Sequence, residues 1–325
     1  MNPAYAPISS VENPSLGGSP RSPSAGLSVP AQAAPELSLA SDLSELTKAR
    51  LTVMVLLTTL AGFCLASHGV FHWLTLGHTL LGTALVAICS SILNQALERD
   101  TDALMRRTQV RPFVTRRLPL RETILAGLVL GALGLAELAY FVNGLTAILS
   151  ALTLVIYVFA YTPLKRLSEI NTLIGAIPGA LPPLIGATAA VGHFSVEGWT
   201  LFAILAMWQL PHFYAIAWMY KDDYRGAGLR MVSTEDPNGT RTGTHAVVSA
   251  LVLLPVSLLP ALIGHSGIFY AVAAGFLSLI FIAAAIRFAR QPDRPRARTL
   301  FLTSIIYLPL ILTALALDIP IRNLF

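Results

Sequence analysis

Long apolar stretches dominate the chain, and short polar stretches separate them. A helix needs about 20 mostly apolar residues to cross a bilayer, and nine stretches come close to that length. Their apolar residues run continuously and do not alternate with polar ones, which argues against a transmembrane β-barrel and predicts an all-α membrane protein. The nine predicted spans cover residues 49–66, 75–97, 121–141, 144–162, 171–191, 197–219, 245–264, 268–289 and 299–318.

The first 44 residues follow a different pattern. They are rich in Pro, Ser, Ala and Gly and contain no long apolar run. Such a segment buries too little apolar surface to offset its conformational entropy. We therefore predict a disordered tail over residues 1–44, which does not resemble a secretory signal, and a polytopic membrane domain over residues 45–325.

Composition supports the membrane assignment. Hydrophobic residues make up 54% of the 325 residues and charged residues only 12%, whereas about 25% of a soluble domain is charged. The lipid bilayer is therefore the main surrounding medium, and a nucleic-acid partner is not indicated. The two cysteines, Cys64 and Cys89, both lie in apolar runs, so neither a disulfide framework nor a cysteine metal site is expected.

Lys and Arg residues lie in every second connection between the predicted spans. The connections before span one and after spans two, four, six and eight are basic, whereas the alternate connections contain no Lys or Arg. Basic loops stay on the cytoplasmic side of a membrane. The pattern therefore predicts a cytoplasmic N-terminus, but it does not explain the acidic residues, which contribute little to topology.

Oxygen-bearing side chains recur every four residues at the end of the second span. Asn94, Glu98 and Asp102 would form one stripe on a helix, each about 6 Å further along its axis. Such oxygen ligands suit Mg²⁺, which also keeps waters and substrate phosphates. The alternative is a helix end solvated by headgroups, with its acids in ordinary surface ion pairs.

Basic side chains follow the stripe on the predicted cytoplasmic side. Arg107 and Arg111 are four residues apart, and their planar guanidinium groups match phosphate oxygens. Asp222 and Asp223, at the cytoplasmic end of the sixth span, are candidate ligands of a second Mg²⁺. They also fit a simple polar exit from the membrane.

Two further segments carry candidate residues. Lys165 and Arg166 precede a span with Pro at positions 178, 182 and 183, which we expect to interrupt that helix beside a cavity, although a kink for packing is the alternative. His212 lies inside the sixth span, where an ionisable group is costly. It could have a functional role, or form only an interhelical hydrogen bond.

Three stretches of the chain share a resemblance. They are "NQALERDTDALMRRTQVRP", "YTPLKRLSEINTLIGAIPGALPPLIG" and "WQLPHFYAIAWMYKDDYRGAG". Together they resemble the intramembrane prenyltransferases of the UbiA superfamily, and within it the heme-farnesylating branch. The resemblance covers the chain from about residue 45 to the end. One departure is that Asp222 and Asp223 are adjacent, whereas the superfamily's second motif is Asp-x-x-x-Asp.

The resemblance implies a nine-helix bundle around a central cavity and a Mg²⁺-dependent reaction. Farnesyl diphosphate, heme B and water would give heme O and diphosphate. Asn94, Glu98, Asp102 and Asp223 would hold the metal, with Arg107, Arg111, Lys165 and Arg166 on the diphosphate. The ring faces of Tyr161, Phe213 and Tyr220 would stabilise an allylic cation. His212 could then ligate heme iron or bind a propionate.

We also expect a setting for the protein. The N-terminal tail is poor in Arg, which favours the bacterial inner membrane over the mitochondrial inner membrane for this multi-pass protein. The resemblance implies a heme A synthase or terminal oxidase downstream. Two other functions remain open. One is prenylation of a quinone precursor, which uses the same cation chemistry, and the other is anion transport.

Overall fold

The structure is a computed structural model that describes residues 38–322, with side chains described through residue 318. This part of the chain is entirely helical and contains no β-strand. Twelve α-helices and one π-helix follow in order. They are α1 (Leu39–Leu46), α2 (Ala49–Ala66), α3 (Trp73–Asp102), α4 (Leu120–Phe141), α5 (Gly144–Val155), the π-helix (Ile156–Tyr161), α6 (Thr162–Leu167), α7 (Asn171–Val191), α8 (Val196–Met219), α9 (Lys221–Gly226), α10 (Thr240–Leu262), α11 (Ile268–Arg290) and α12 (Arg294–Arg322).

Nine helical segments within residues 38–318 are long and apolar enough to cross a membrane. They confirm the nine predicted spans, and the fourth consists of α5, the π-helix and α6 in continuous succession. The main difference concerns α3, which continues to Asp102 and is 30 residues long. The whole stripe from Asn94 to Asp102 is therefore helical.

Most of the predicted tail, residues 1–37, lies outside the residues that the structure describes. The disorder predicted for residues 1–37 therefore stays a prediction. Residues 39–44 were also assigned to the tail, but they form most of α1. Helix α1 begins at the cap Ser38, whose hydroxyl accepts a hydrogen bond from the Ser41 amide, and it buries Asp42 and Leu46. These buried contacts offset the conformational entropy that residues 39–44 lose on folding. The composition of the segment does not reveal such contacts.

Helices α7 and α8 are the most buried of the nine spans. Helix α7 packs against α2, α5 and α8, and α8 packs against α7, α10 and α12. The other spans leave apolar faces exposed, as expected of helices in contact with lipid. The two central helices therefore join the first five spans to the last four.

The crossing of α2 and α7 depends on two glycines. A Cβ atom on Gly62 would lie 1.9 Å from the Pro183 carbonyl oxygen, and one on Gly186 would lie 1.8 Å from the Thr59 carbonyl oxygen. The two backbones therefore touch directly, which is how small residues join helices in membranes.

The prolines of α7 do not interrupt the helix, contrary to the expectation. Pro178, Pro182 and Pro183 all lie inside one helix and are buried. The Gln209 side chain on α8 also donates to the Ala176 carbonyl of α7, at 2.7 Å. The prolines thus shape a packed helix.

We predict that Gly186→Leu prevents stable folding. The new side chain would meet the α2 backbone, which cannot move aside as a flexible side chain can, so the expected cost exceeds about 3 kcal/mol. Gly77→Leu is the matched control, because Gly77 is also helical and has open space around its Cβ position. Melting temperature in detergent checks this, and equal stability of the two variants would contradict the close α2–α7 crossing.

Candidate functional site

The predicted stripe forms a buried column of oxygen atoms along the end of α3. Asn94 and Asp102 are fully buried, and the Glu98 side chain is only 12% exposed. Three acidic or amide groups at this depth need partners, because burying an unpaired charge is costly.

Each member of the column contacts a different basic side chain. The Asn94 Oδ1 atom accepts from Lys48 Nζ at 2.6 Å, and Glu98 Oε1 accepts from Lys165 Nζ at 2.6 Å. The Asp102 Oδ2 atom accepts from Arg111 Nη1, also at 2.6 Å. The candidate metal ligands and two of the candidate phosphate-binding residues thus neutralise each other.

The π-helix lies beside this column. Its wider turn carries Tyr157 and Tyr161, whose ring centroids are 5.5 Å apart. Lys165 follows in α6, with its Nζ atom 4.4 Å from the Tyr161 ring centroid. Gly175 on α7 gives Tyr161 room, because a Cβ there would lie 2.6 Å from the ring. Single π-helical turns are frequent at functional sites.

Two segments outside the membrane spans meet at the Asp102 end of the column. The Arg107 guanidinium carbon lies 4.8 Å and 5.7 Å from the ring centroids of Tyr220 and Tyr224, and Arg107 Nη2 donates to the Tyr224 hydroxyl. Burial acts to lower the pKa of Arg107, but Tyr224, Tyr220 and Asp102 together raise it. Met105 packs with Tyr224 in the same apolar cluster.

Helix α1 is fixed against the site by ionic contacts. Arg117 donates to both carboxylate oxygens of Asp42, at 2.8–3.0 Å, and these hydrogen bonds raise the pKa of Arg117. Glu45 lies 3.7 Å from Arg111. We call the Asp42–Arg117 pair the α1 clamp.

The column fits a hard cation such as Mg²⁺. Asp102 Oδ1 is buried and has no hydrogen-bond partner, which leaves a carboxylate oxygen for a ligand. Within residues 38–318, no three His, Cys, Asp or Glu side chains are grouped as a metal site. The stripe supplies two carboxylates and one amide, and Mg²⁺ in proteins takes few carboxylates together with water and phosphate oxygens.

Asp222 and Asp223, the second pair of candidate metal ligands, differ in their exposure to solvent. Asp222 is 86% exposed and lies 3.6 Å from Arg225 on the same helix, whereas Asp223 is half-buried. Helix α8 ends at Met219, and Tyr220 separates it from α9. Because adjacent helical side chains point about 100° apart, the structure does not bring both carboxylates together, and a shared metal stays a prediction.

Arg166 contacts a different residue of α3 than its neighbour Lys165 does. The Arg166 side chain is exposed and donates to the hydroxyl of Thr101 on α3 at 3.4 Å, and Thr101 is not a member of the column. Its predicted contact with diphosphate remains a prediction.

His212 lies between α8 and α12. Its Nδ1 atom is 2.7 Å from the Ser304 hydroxyl, and its ring stacks on Trp208 and Phe301 with centroids 5.1 Å and 5.0 Å away. The structure therefore contains the interhelical hydrogen bond that was one of the expected alternatives. Phe213 is half-buried next to it, and iron ligation stays a prediction.

Sequence reasoning missed Lys48, Tyr157 and Tyr224 as members of the site. Lys48 was assigned only to the basic side of the membrane. Tyr157 lies four residues before Tyr161, a spacing that places two side chains on one helical face and could have indicated it.

The nine helical spans among the described residues and the buried acidic column together suggest an intramembrane enzyme. Residues 55–307 match the UbiA prenyltransferase family. The chain therefore belongs to the UbiA prenyltransferase family, and it is a transferase and a multi-pass integral membrane protein. The resemblance inferred from the sequence motifs is confirmed.

Two curated relatives show how far the similarity extends. The chain is 44% identical over 288 residues to protoheme IX farnesyltransferase of Solibacter usitatus, covering 86% of this chain and 99% of the relative. It is 43% identical over 292 residues to the protein of the same name from Koribacter versatilis, covering 86% and 94%.

Solved structures support the fold. Digeranylgeranylglyceryl phosphate synthase superposes with a TM-score of 0.74 at 16% identity, covering 86% of this chain and 98% of that one. A UbiA homolog from Archaeoglobus fulgidus, bound to GPP and Mg²⁺, gives a TM-score of 0.59 at 15% identity, covering 85% and 100%.

We predict that Arg117→Met loosens α1. A hydrogen-bonded pair of charged groups contributes about 1.5–3 kcal/mol, so amide hydrogen exchange in residues 42–48 should rise at least about tenfold. Arg116→Met is the control, because Arg116 is adjacent in sequence but exposed. Unchanged protection of α1 in the Arg117 variant would show that the clamp does not hold this helix.

Proposed function

We propose that the chain is a protoheme IX farnesyltransferase. It transfers the farnesyl group of farnesyl diphosphate to heme B and consumes one water, giving heme O and diphosphate. The observation that carries this proposal is the column of Asn94, Glu98 and Asp102, with a basic partner at each level. Full-length similarity to curated enzymes of that name supports the choice of substrates.

The column and its partners account for the binding of both a metal and a diphosphate. Asn94, Glu98 and Asp102 would hold Mg²⁺, which would supply Lewis-acid chemistry to the diphosphate. Asp223 is the candidate for a further ligand. Lys165 and Arg111, which face Glu98 and Asp102 here, would bind phosphate oxygens, which guanidinium and ammonium groups bind well.

Arg107 adds a further positive charge at the cytoplasmic end of the site. Its two tyrosine neighbours fix its orientation before substrate arrives, and preorganised charge of this kind stabilises the transition state without reorganisation. Arg166 is the other candidate. It would bind phosphate only after its hydrogen bond to the Thr101 hydroxyl breaks.

The remaining residues serve the prenyl and heme groups. When the C1–O bond of farnesyl diphosphate breaks, its electron pair leaves with the diphosphate. A vinyl group of heme attacks C1, and water adds to the resulting cation as a hydroxyl while its proton is released. Tyr161, Phe213 and Tyr220 offer ring faces to the cationic carbon, and His212, held by Ser304, contacts the heme.

The proposed setting follows from the basic loops and the relatives. The N-terminus lies in the cytoplasm, the protein lies in a bacterial inner membrane, and a heme A synthase or terminal oxidase uses the product. A UbiA enzyme for a quinone precursor shares the cation chemistry, so an acceptor assay separates the two functions.

We predict that membranes containing this chain convert heme B and farnesyl diphosphate to heme O, with 4-hydroxybenzoate left unprenylated. Asp102→Asn should lower the rate at least about a hundredfold, because it removes a charged oxygen ligand near the metal. Asp100→Asn is the control, since Asp100 is 79% exposed and pairs only with Arg99. Product analysis by mass spectrometry checks both statements. Prenylation of 4-hydroxybenzoate alone would overturn the heme assignment.

A further inference from the structure

Arginines are concentrated around the connection between α11 and α12. Residues 287–298 contain five arginines and one aspartate, and they carry a net charge of +4. The whole chain of 325 residues has a formal net charge of only +5. Just three residues, 291–293, join the two helices, so the arginines at both helix ends are neighbours in space.

The single carboxylate of this segment is occupied by one of the five arginines. Asp293 Oδ1 accepts from the Arg296 backbone amide at 2.8 Å, and Asp293 Oδ2 pairs with the Arg296 guanidinium group. The other four arginines are exposed, and none of them forms an ion pair within residues 38–318. We call these four the arginine turn, which consists of Arg287, Arg290, Arg294 and Arg298.

Two other basic connections differ from the arginine turn, because several of their arginines contact a carboxylate. Orientation in the membrane accounts for positive charge in a loop. It does not account for four arginines that face no carboxylate, since like charges on one surface repel each other. The pairs after the second and sixth spans are Arg99–Asp100, Arg111–Asp102, Arg117–Asp42, Arg225–Asp222, Arg230–Glu235 and Arg241–Glu169.

Close packing against α10 and the residue before it fixes the backbone of the arginine turn. A Cβ atom on Gly243 would lie 2.7 Å from the Ala289 Cα atom, so α10 and α11 touch directly. A Cβ atom on Gly239 would lie 2.4 Å from the Pro292 Cβ atom. Gly239 also has a φ angle of 75°, which favours Gly. The backbone that carries the arginines is therefore in position before any anion binds.

One exposed row of α12 changes from basic to apolar along the helix. Its members are spaced four residues apart and therefore follow one another along the helix surface. The arginines can meet a phosphate, and the apolar residues can meet a hydrocarbon chain. A phospholipid has both parts, whereas a soluble anion has only the first. The row consists of Arg294, Arg298, Leu302, Ile306 and Leu310, all of which are exposed.

We propose that the arginine turn binds an anionic phospholipid of the surrounding bilayer. Its guanidinium groups contact the headgroup phosphate, whose oxygens match their planar geometry, and the apolar part of the α12 row contacts an acyl chain. Basic clusters beside a membrane span attract anionic headgroups, and each Lys or Arg there raises the affinity about fivefold. This inference is independent of the proposed enzymatic function, because it concerns lipid binding and not turnover.

The test titrates full-length protein in neutral detergent with phosphatidylglycerol, phosphatidylcholine or soluble glycerol phosphate. Melting temperature reports binding, and native mass spectrometry counts the retained lipids as a second readout. Arg294→Gln with Arg298→Gln removes two members of the arginine turn and leaves three arginines to orient the helices. Arg294→Lys with Arg298→Lys keeps the charge but loses the planar fork. Arg50→Gln with Arg121→Gln is the matched control, because both residues are exposed and helical on the basic side.

We expect phosphatidylglycerol to raise the melting temperature of the wild type more than phosphatidylcholine does. The glutamine variant should need at least about tenfold more phosphatidylglycerol for half of the rise, and it should retain fewer lipids. The lysine variant should need less than the glutamine variant, and the control should stay within about twofold of the wild type.

Three results would overturn the proposal. An equal loss in the control variant would show that overall charge attracts the lipid. Equal stabilisation by phosphatidylglycerol and phosphatidylcholine would show that the surface does not recognise an anionic headgroup. Equal stabilisation by glycerol phosphate would show that the surface recognises phosphate without an acyl chain.

Discussion

The site depends on charge neutralisation at the buried end of α3. Glu98 and Asp102 are carboxylates with little access to water, and each meets one basic side chain at 2.6 Å. Removing one member of such a pair leaves an uncompensated buried charge, which typically costs about 3–5 kcal/mol. Under the proposed function, the same groups would exchange partners without loss of pairing, because the acids would face a cation and the bases would face phosphate.

Several unrelated features of the fold bring these partners together. The glycine contacts between α2 and α7 let the central helix approach closely, and the π-helix places Tyr157 and Tyr161 beside α3. The α1 clamp fixes the segment before α2. The charged column therefore depends on residues distributed over much of the chain, although its acids all come from one helix.

The sequence predicted the spans well because bilayer thickness and hydrophobicity constrain them directly. It also predicted the stripe of Asn94, Glu98 and Asp102, because a spacing of four has a fixed meaning on a helix. The partners of these residues were harder to foresee. Lys48 and Asn94, which share a hydrogen bond, are 46 residues apart in the sequence. The spacing of residues within one helix cannot predict a contact between residues so far apart. Helix α1 was missed because its stability comes from tertiary contacts, which composition does not record.

The central claim is that acids and bases of the column exchange partners when substrate binds. A structure of the protein by electron cryomicroscopy, with Mg²⁺ and a non-hydrolysable farnesyl diphosphate analogue, tests it most directly. We expect Lys165 Nζ and Glu98 Oε1, 2.6 Å apart here, to separate beyond about 4 Å, the limit of an ion pair. Glu98 and Asp102 should face the metal, with Lys165 and Arg111 on phosphate oxygens. An analogue bound with both ion pairs intact would contradict the claim.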